Sequence, residues 1–408
     1  MRSGDIVRCE FGGMTRRGTF ITDREGMAVI KLDSGYNIGI PPGSCVFIGR
    51  PPSGPVKMTE VAQNKGLPEL SIVSTGGTIA SRIDYRTGSV TSQSDAAAIL
   101  NAIPELAKVA TYTTRSLYTI LSENMTPGIW IELARAVFEE ICRGVDGVIV
   151  THGTDTMAYS AAALSFMIDT PVPIVFVGSQ RSADRPSSDN AMNAVCAAKA
   201  ATSDLGEVVV VMHATTNDDA CAIHRGTRVR KMHSSRRDAF RSIGIPPLGT
   251  VRYPSLEVRL GADTVHRKCC KPVLRDRLDE RCGLLYFYPG MPPETIRTYE
   301  GYHGLVIGGT GLGHVSTPLI PELRRLIDAG TLVMMTTQCL HGRVCDRVYD
   351  TGRDLLDAGV IEGADILPET ALVKLMWVLG NEQNRDRAES LLQISLKGEC
   401  SGRSTHGL

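Results

Sequence analysis

The stretch Val148-Ile-Val-Thr-His-Gly-Thr-Asp-Thr-Met-Ala-Tyr159 decides how this chain is read. Val148 to Val150 has the length and β-branching of a buried parallel strand. The strand stops at Gly153, and Thr154, Asp155 and Thr156 lead into a helix of apolar periodicity. Hydroxyls and a carboxylate in such a turn sit where α/β sheets place their ligands, at the carboxyl ends of the strands. Leu70-Ser-Ile-Val-Ser-Thr-Gly-Gly-Thr-Ile79 repeats the logic upstream, with Thr78 just past a paired-glycine turn. Two threonine-bearing strand ends in one sheet suggest hydroxyl nucleophile chemistry.

Working outward, residues 1 to about 48 differ from the rest. Short β-like pieces separated by Gly-Gly, Glu-Gly, Ser-Gly and Pro-Pro-Gly turns read as a small all-β barrel of SH3-like size. Arg50-Pro-Pro-Ser-Gly-Pro55 has a stiff linker composition and marks a boundary. From Leu70 to about Thr250, strands alternate with loops and helices, predicting a mostly parallel, doubly wound unit. Thr126-Pro127 starts one helix, whose Trp130, Leu133, Val137, Phe138 and Ile141 form a core face. A polar, basic region follows, and a second α/β unit begins at Cys282. The expected domains are 1–55 (β-barrel), 56–69 (linker), 70–265 (first α/β domain), 266–281 (connection) and 282–408 (second α/β domain). The tail from Ser401 to Leu408 is expected to be unordered.

Bulk properties exclude several classes. Lys+Arg and Asp+Glu both number 44, so no global charge draws the chain to nucleic acid or membrane. Eleven scattered cysteines without a Cys-x-x-Cys predict reduced thiols, a cytoplasmic setting and no zinc site. No apolar run approaches a membrane span.

Several residues carry two readings. Thr75-Gly-Gly-Thr78 matches no nucleotide-binding pattern. Its glycines would let a substrate approach the backbone and turn amides toward an oxyanion, or it is a strand-to-helix turn with a capping threonine. Thr154-Asp155 is an N-cap beside a dipole-favoured acid, or part of a site with Lys231 as a base toward a threonine hydroxyl. Gly178-Ser-Gln-Arg181 is a substrate loop or a helix-start turn. The Arg- and His-rich run from His224 to Arg241 is a solvated face around Lys231 or a contact for nucleic-acid phosphates.

Thr-Gly-Gly-Thr-Ile-Ala (75–80) and Thr-His-Gly-Thr-Asp-Thr (151–156) resemble the two signatures of the L-asparaginase/glutaminase family, in the same order, over residues 68 to about 400. Together with the β-barrel, Ser122-Glu-Asn-Met125 and Gly178 to Pro186, the chain is similar to the branch of that family that serves tRNA-dependent amidation. The resemblance implies two asparaginase-type α/β domains and a set of roles. Thr78 would be the nucleophile, assisted by Tyr85, which follows it by only seven residues. Thr154, Asp155 and Lys231 would be the second threonine, the substrate-binding aspartate and the lysine. Ser122 and Glu123 would hold the α-carboxylate and α-amino groups of glutamine or asparagine, and Gly77 and Gly153 would supply backbone to the oxyanion.

The resemblance further implies a glutamine amidohydrolase, without metal or cofactor in this chain. It would make ammonia for a kinase/transamidase partner that binds Glu-tRNA(Gln) and holds ATP and Mg, with this chain dimeric within an α2β2 heterotetramer. Many asparaginases carry an asparagine near the position of Leu312 in Gly308-Gly-Thr-Gly-Leu-Gly-His314, so the intersubunit part of the site is expected to differ. A stand-alone asparaginase and a non-catalytic translation scaffold are the alternatives.

Overall fold

The computed structural model describes residues 1–2, 4–32, 37–49, 64, 66–76, 81–83, 90–92, 99–100, 102–181 and 187–403, with backbone alone at 81–83 and 90–92. The N-terminal strands β1 (Ile6–Phe11), β2 (Met14–Arg24), β3 (Met27–Leu32), β4 (Asn37–Ile40) and β5 (Cys45–Gly49) form one antiparallel sheet, ordered β4-β3-β2-β1-β5. Its turns are dictated locally. Gly12 and Gly13 (φ +61° and +73°) join Phe11 to Met14 in a two-residue hairpin, a geometry that side chains beyond Cβ resist. Val7, Cys9, Phe20, Ala28, Ile30 and Ile40 give this domain its own core.

The first α/β unit contains β6 (Glu69–Ser74), β7 (Ser81–Ile83), β8 (Val90–Ser92), β9 (Thr111–Ser116), β10 (Gly147–Thr151), β11 (Ile168–Asp169), β12 (Ile174–Val177), β13 (Val208–His213), β14 (Ala220–Arg225), β15 (Val229–Lys231), β16 (Phe240–Ser242), β17 (Gly249–Arg252), β18 (Val258–Leu260) and β19 (Val273–Leu274). Its helices are α1 (Pro127–Cys142), α2 (Met157–Met167) and α3 (Asn190–Ala201). Eight strands form the main sheet, ordered β18-β17-β14-β13-β12-β10-β6-β9. The block from β13 to β9 is parallel, as the Val/Ile-rich runs predict. β14, β17 and β18 extend it antiparallel, which the sequence reading did not anticipate. β17 and β18 span only four and three residues, too few for a period to show.

Helices cover both faces. Thr126 caps α1, accepting from Ile129 N, with Pro127 at its first position, and Trp130, Leu133, Val137 and Ile141 are buried. α1 and α2 pack on one face of the sheet and α3 on the other. The second unit is the parallel sheet β20 (Cys282–Tyr286), β21 (Gly304–Gly309), β22 (Leu332–Thr337) and β23 (Ile361–Glu362), in that order. α4 (Glu294–Arg297), α5 (Ile320–Asp328) and α6 (Asp350–Asp357) belong to it, followed by α7 (Pro368–Asn381) and α8 (Arg385–Gln393). Ala371, Val373, Leu375 and Trp377 of α7 share one apolar core with α2 and with Val306 and Met334 of the second sheet, which joins the units.

One expectation fails. The segment from Ser401 is not loose at its start: Ser401 N donates to Asp365 Oδ1 (2.8 Å), and Arg343 Nη1 donates to Gly402 O (3.0 Å). Residues 404–408 lie outside the described residues. No described helix is long and apolar enough to cross a membrane.

Candidate active site

The chain leaves β6 for β9 on one side and returns to β10 on the other, so β6 and β10 flank the sheet's topological switch point. In open α/β sheets ligands bind in the crevice beyond the strand ends at such a point. The register pairs Ser74 with Thr151, bringing both threonine-rich signatures to the same edge. Polar side chains tie the two ends. Thr75 N and Thr75 Oγ1 both donate to Thr151 O (3.1 Å each), and Thr151 Oγ1 donates to Ser74 Oγ (3.0 Å). At Gly76 (φ +113°) a Cβ would lie 2.6 Å from Ile120 O, so only glycine takes this bend. Gly77, Thr78 and Tyr85 lie outside the described residues.

Beyond β10 the second signature assembles a compact set. Gly153 abuts Ser122 so closely that a Cβ would sit 2.7 Å from Ser122 Cβ and 2.9 Å from its Oγ. Thr156 Oγ1 donates to Ser122 O (2.7 Å), locking the buried Ser122 turn against the start of α2. Glu123 is exposed beside it. Lys231, at the end of β15, donates from Nζ to Thr154 Oγ1 (2.9 Å) and pairs with Asp155 Oδ1 (2.6 Å). The lysine side chain is only 13% exposed, whereas the Asp155 carboxylate is 68% exposed and open to a ligand. The structure thus brings together Ser122, Gly153, Thr154, Asp155 and Lys231.

His152 was not singled out from sequence, although it lies inside the signature. Trp130 Nε1 donates to Ser160 Oγ (2.9 Å), which leaves the hydroxyl proton for His152 Nε2 (2.8 Å). The Nδ1–H then donates to Gly153 O (2.6 Å), fixing one tautomer under the turn. Burial pushes this imidazole down to about 4. It is a neutral strut that sets the Gly153 carbonyl.

The neighbouring loop, Gly178 to Arg181, is tied to the N-cap of α3. Gln180 N and Arg181 N both donate to the buried Asp189 carboxylate, which also accepts from Asn193 Nδ2. The arginines of the basic run are largely paired with carboxylates, most of them outside the run. Arg225 pairs with Glu207, Arg228 with Asp365, Arg230 with Glu369, Arg236 and Arg241 with Asp238, and Arg237 with Asp218. His224 is buried against Ser242 Oγ (2.8 Å). Leu312 contributes its carbonyl to Cys345 N (2.8 Å). No group of described His, Cys, Asp and Glu residues has the arrangement of a metal site.

Comparison with known proteins agrees with this architecture. Residues 69–263 match the model of the N-terminal asparaginase domain, 281–392 that of the glutaminase/asparaginase C-terminal domain, and 1–44 that of the GatD N-terminal domain. The chain is 56% identical to the D subunit of the glutamyl-tRNA(Gln) amidotransferase of Methanosarcina mazei, covering 98% of both chains. It is 52% identical to its counterpart in Archaeoglobus fulgidus, over 97% of this chain and 94% of that one. Among solved structures, the thermostable L-asparaginase of Thermococcus kodakarensis superposes with a TM-score of 0.73 at 33% identity, covering 82% of this chain and 99% of that one. L-asparaginase I of Vibrio cholerae gives 0.71 at 28% identity, with the same shares covered.

Proposed function

The chain belongs to the L-asparaginase/glutaminase family, among the GatD proteins of glutamyl-tRNA(Gln) amidotransferase, and from that membership we propose that it hydrolyses glutamine to supply ammonia for converting Glu-tRNA(Gln) to Gln-tRNA(Gln). The observation that carries the reading is the contact of Lys231 with both Thr154 and Asp155 at a sheet switch point.

In this reading Thr78 adds to the side-chain amide carbon, and backbone amides of the glycine turns, Gly77 and Gly153 among their residues, receive the oxyanion. Thr154, held by Lys231, relays protons between nucleophile and leaving amine. The α-ammonium of the substrate binds the exposed Asp155 carboxylate. In doing so it competes with the Lys231 ammonium for that carboxylate and frees the lysine toward Thr154. Ser122 and Glu123 face the α-carboxylate and α-amino groups, and Tyr85 assists Thr78. Ammonia leaves, and water releases glutamate from the acyl-threonine.

The hydrolysis itself requires no cofactor from this chain. The partner protein would bind Glu-tRNA(Gln), activate its glutamyl carboxyl with ATP and Mg, and take up the ammonia through a channel, within an α2β2 assembly. The likeness to free asparaginases favours a second reading, a stand-alone amidohydrolase, and the match of residues 1–44 to the GatD N-terminal domain weighs against it.

Ammonia release by the chain with and without its partner, charged tRNA and ATP separates these readings. Low basal release that rises with all three, on glutamine above asparagine, supports the amidotransferase component. Full release alone, indifferent to the partner, supports the free enzyme.

A further inference from the structure

The strand that carries Lys231 is short and stands apart from the main sheet. β15 spans three residues and pairs only with β16 among the described residues, in a two-stranded ladder separate from the main sheet. A lysine has a flexible four-carbon stem, so its reach is set by how firmly the backbone beneath it is anchored. Its own unit supplies the β16 ladder, the bond from Ile243 N to Arg228 O (2.8 Å) and the burial of Val229, and the side chains on either side of Val229 are held by the second α/β unit and the C-terminal segment.

Thr227 O accepts from Thr370 Oγ1 (3.1 Å), and Thr227 Oγ1 donates to Lys397 O (2.9 Å). Arg228, only 1% exposed, spends its guanidinium in one direction. Nε donates to Gly398 O (2.9 Å), Nη1 to Asp365 O and Oδ2 (3.1 Å each), and Nη2 to Ser401 Oγ (2.7 Å). Arg230 Nε lies 3.4 Å from Glu369 Oε1, a buried carboxylate at the start of α7.

The receiving segment is itself pinned. Glu399 accepts from Leu396 N and Lys397 N, and pairs at 2.7 Å with Lys374 of α7, both side chains being wholly buried. Contacts therefore run from α7 through Glu399 and Gly398 to Arg228, and from there along β15 to Lys231, Thr154 and Asp155. Were stability the whole purpose, apolar packing would serve as well as a buried guanidinium. Forked polar contacts instead fix a direction and a register.

We propose that the second α/β unit and the 397–401 segment act as the positioning device for Lys231, their grip on Thr227, Arg228 and Arg230 setting the lysine's reach to Thr154 and Asp155. This rests on the reading that Lys231 serves amide hydrolysis. Thr370, Asp365 and Ser401 are then positioning residues, far along the chain from the signatures they serve.

Asp365→Asn strips Arg228 of its charge partner and endangers folding, so the working variant is Thr370→Val with Ser401→Ala, which removes one hydroxyl from each side of the grip. Glutamine-dependent ammonia release is measured under single-turnover conditions, in the complex with the partner protein and charged tRNA, alone and in a Lys231→Met background. The expected result is a fall of roughly 10-fold in the chemical step, with glutamine KM within about 2-fold and the variant fully folded at the assay temperature by its melting curve. In the Lys231→Met background the same pair should change the residual rate by less than about 2-fold, because coupled residues are non-additive. An equal loss in both backgrounds, or no loss in either, overturns the proposal. If Lys231→Met alone leaves the rate intact, the premise about the lysine has failed, and the proposal falls with it by a distinguishable route.

Discussion

Lys231 Nζ donates to Thr154 Oγ1 at 2.9 Å across 77 residues of chain. The same ammonium pairs with Asp155 at 2.6 Å, so one side chain addresses both a hydroxyl and a carboxylate of the second signature. These two contacts divide the roles that substitution should reveal. Lys231→Met should lower kcat by roughly 10²- to 10⁴-fold, the range of a lost proton-transfer group, and leave KM nearly unchanged. Asp155→Asn should chiefly raise KM, by roughly 10- to 100-fold, because the substrate ammonium loses a charged acceptor. Steady-state ammonia assays on glutamine read both, and the opposite pattern would exchange the assignments.

Two glycines of the site should fail differently. A Cβ at Gly153 meets Ser122 Cβ at 2.7 Å, and Ser122 gives way only if its turn, held by Thr156 Oγ1, shifts with it. Gly153→Ala should therefore displace the Ser122 turn, raising KM and lowering the melting temperature together. A Cβ at Gly178 meets the His152 carbonyl at 2.7 Å and the Thr154 methyl at 2.9 Å, between two fixed turns. Gly178→Ala should destabilise by about 1–3 kcal/mol, seen as a lower urea midpoint.

The buried His152 links stability to pH. Its unfolded value is near 6.5 and burial holds it at about 4 in the folded chain. Between those values the unfolded state binds the extra proton. Its contribution is complete above 6.5 and is lost as pH falls toward 4, about 3 kcal/mol in all. Urea midpoints from pH 7.5 to 4 should fall less steeply for His152→Gln than for the parent chain, whatever the offset between them.

Asp346 has the opposite sign. It is wholly buried, neither carboxylate oxygen accepts a hydrogen bond from a described residue, and burial with the charge of Glu362 raises it from 3.8 to about 7. Between those values the folded state holds the extra proton, so stability is lost as pH rises through 7. Asp346→Asn should raise the melting temperature by several degrees at pH 8 and barely at pH 4, as scanning calorimetry would show.

Much of the fold was legible because strongly apolar strands and good caps speak locally. Thr126-Pro127 starts α1 as its residues predict, and Val148 to Val150 lies in a central parallel strand. The antiparallel strands β14, β17 and β18 and the helices α6 and α8 were not read: β17 and β18 are too short to show a period, and α6 and α8 are helices of eight and nine residues with only two buried positions each. Within the site, the threonine and aspartate of the second signature stood out by motif. Arg228 read as part of a solvated basic run, yet it is among the most buried side chains, because Asp365, its ionic partner, lies 137 residues away. His152 was in view throughout, but its strut role depends on Trp130 and Ser160, whose convergence only the tertiary fold reveals.

The most direct test is transfer of label from amide-¹⁵N glutamine into Gln-tRNA by the complex, comparing the parent chain with Thr78→Ala and Lys231→Met, each with and without added ammonium chloride. Label should appear with the parent chain and fall sharply with both variants, and unlabelled amidation should return in both once ammonium is supplied. Undiminished transfer of label by either variant, or amidation that ammonium fails to restore, would contradict a threonine–lysine glutaminase feeding its partner.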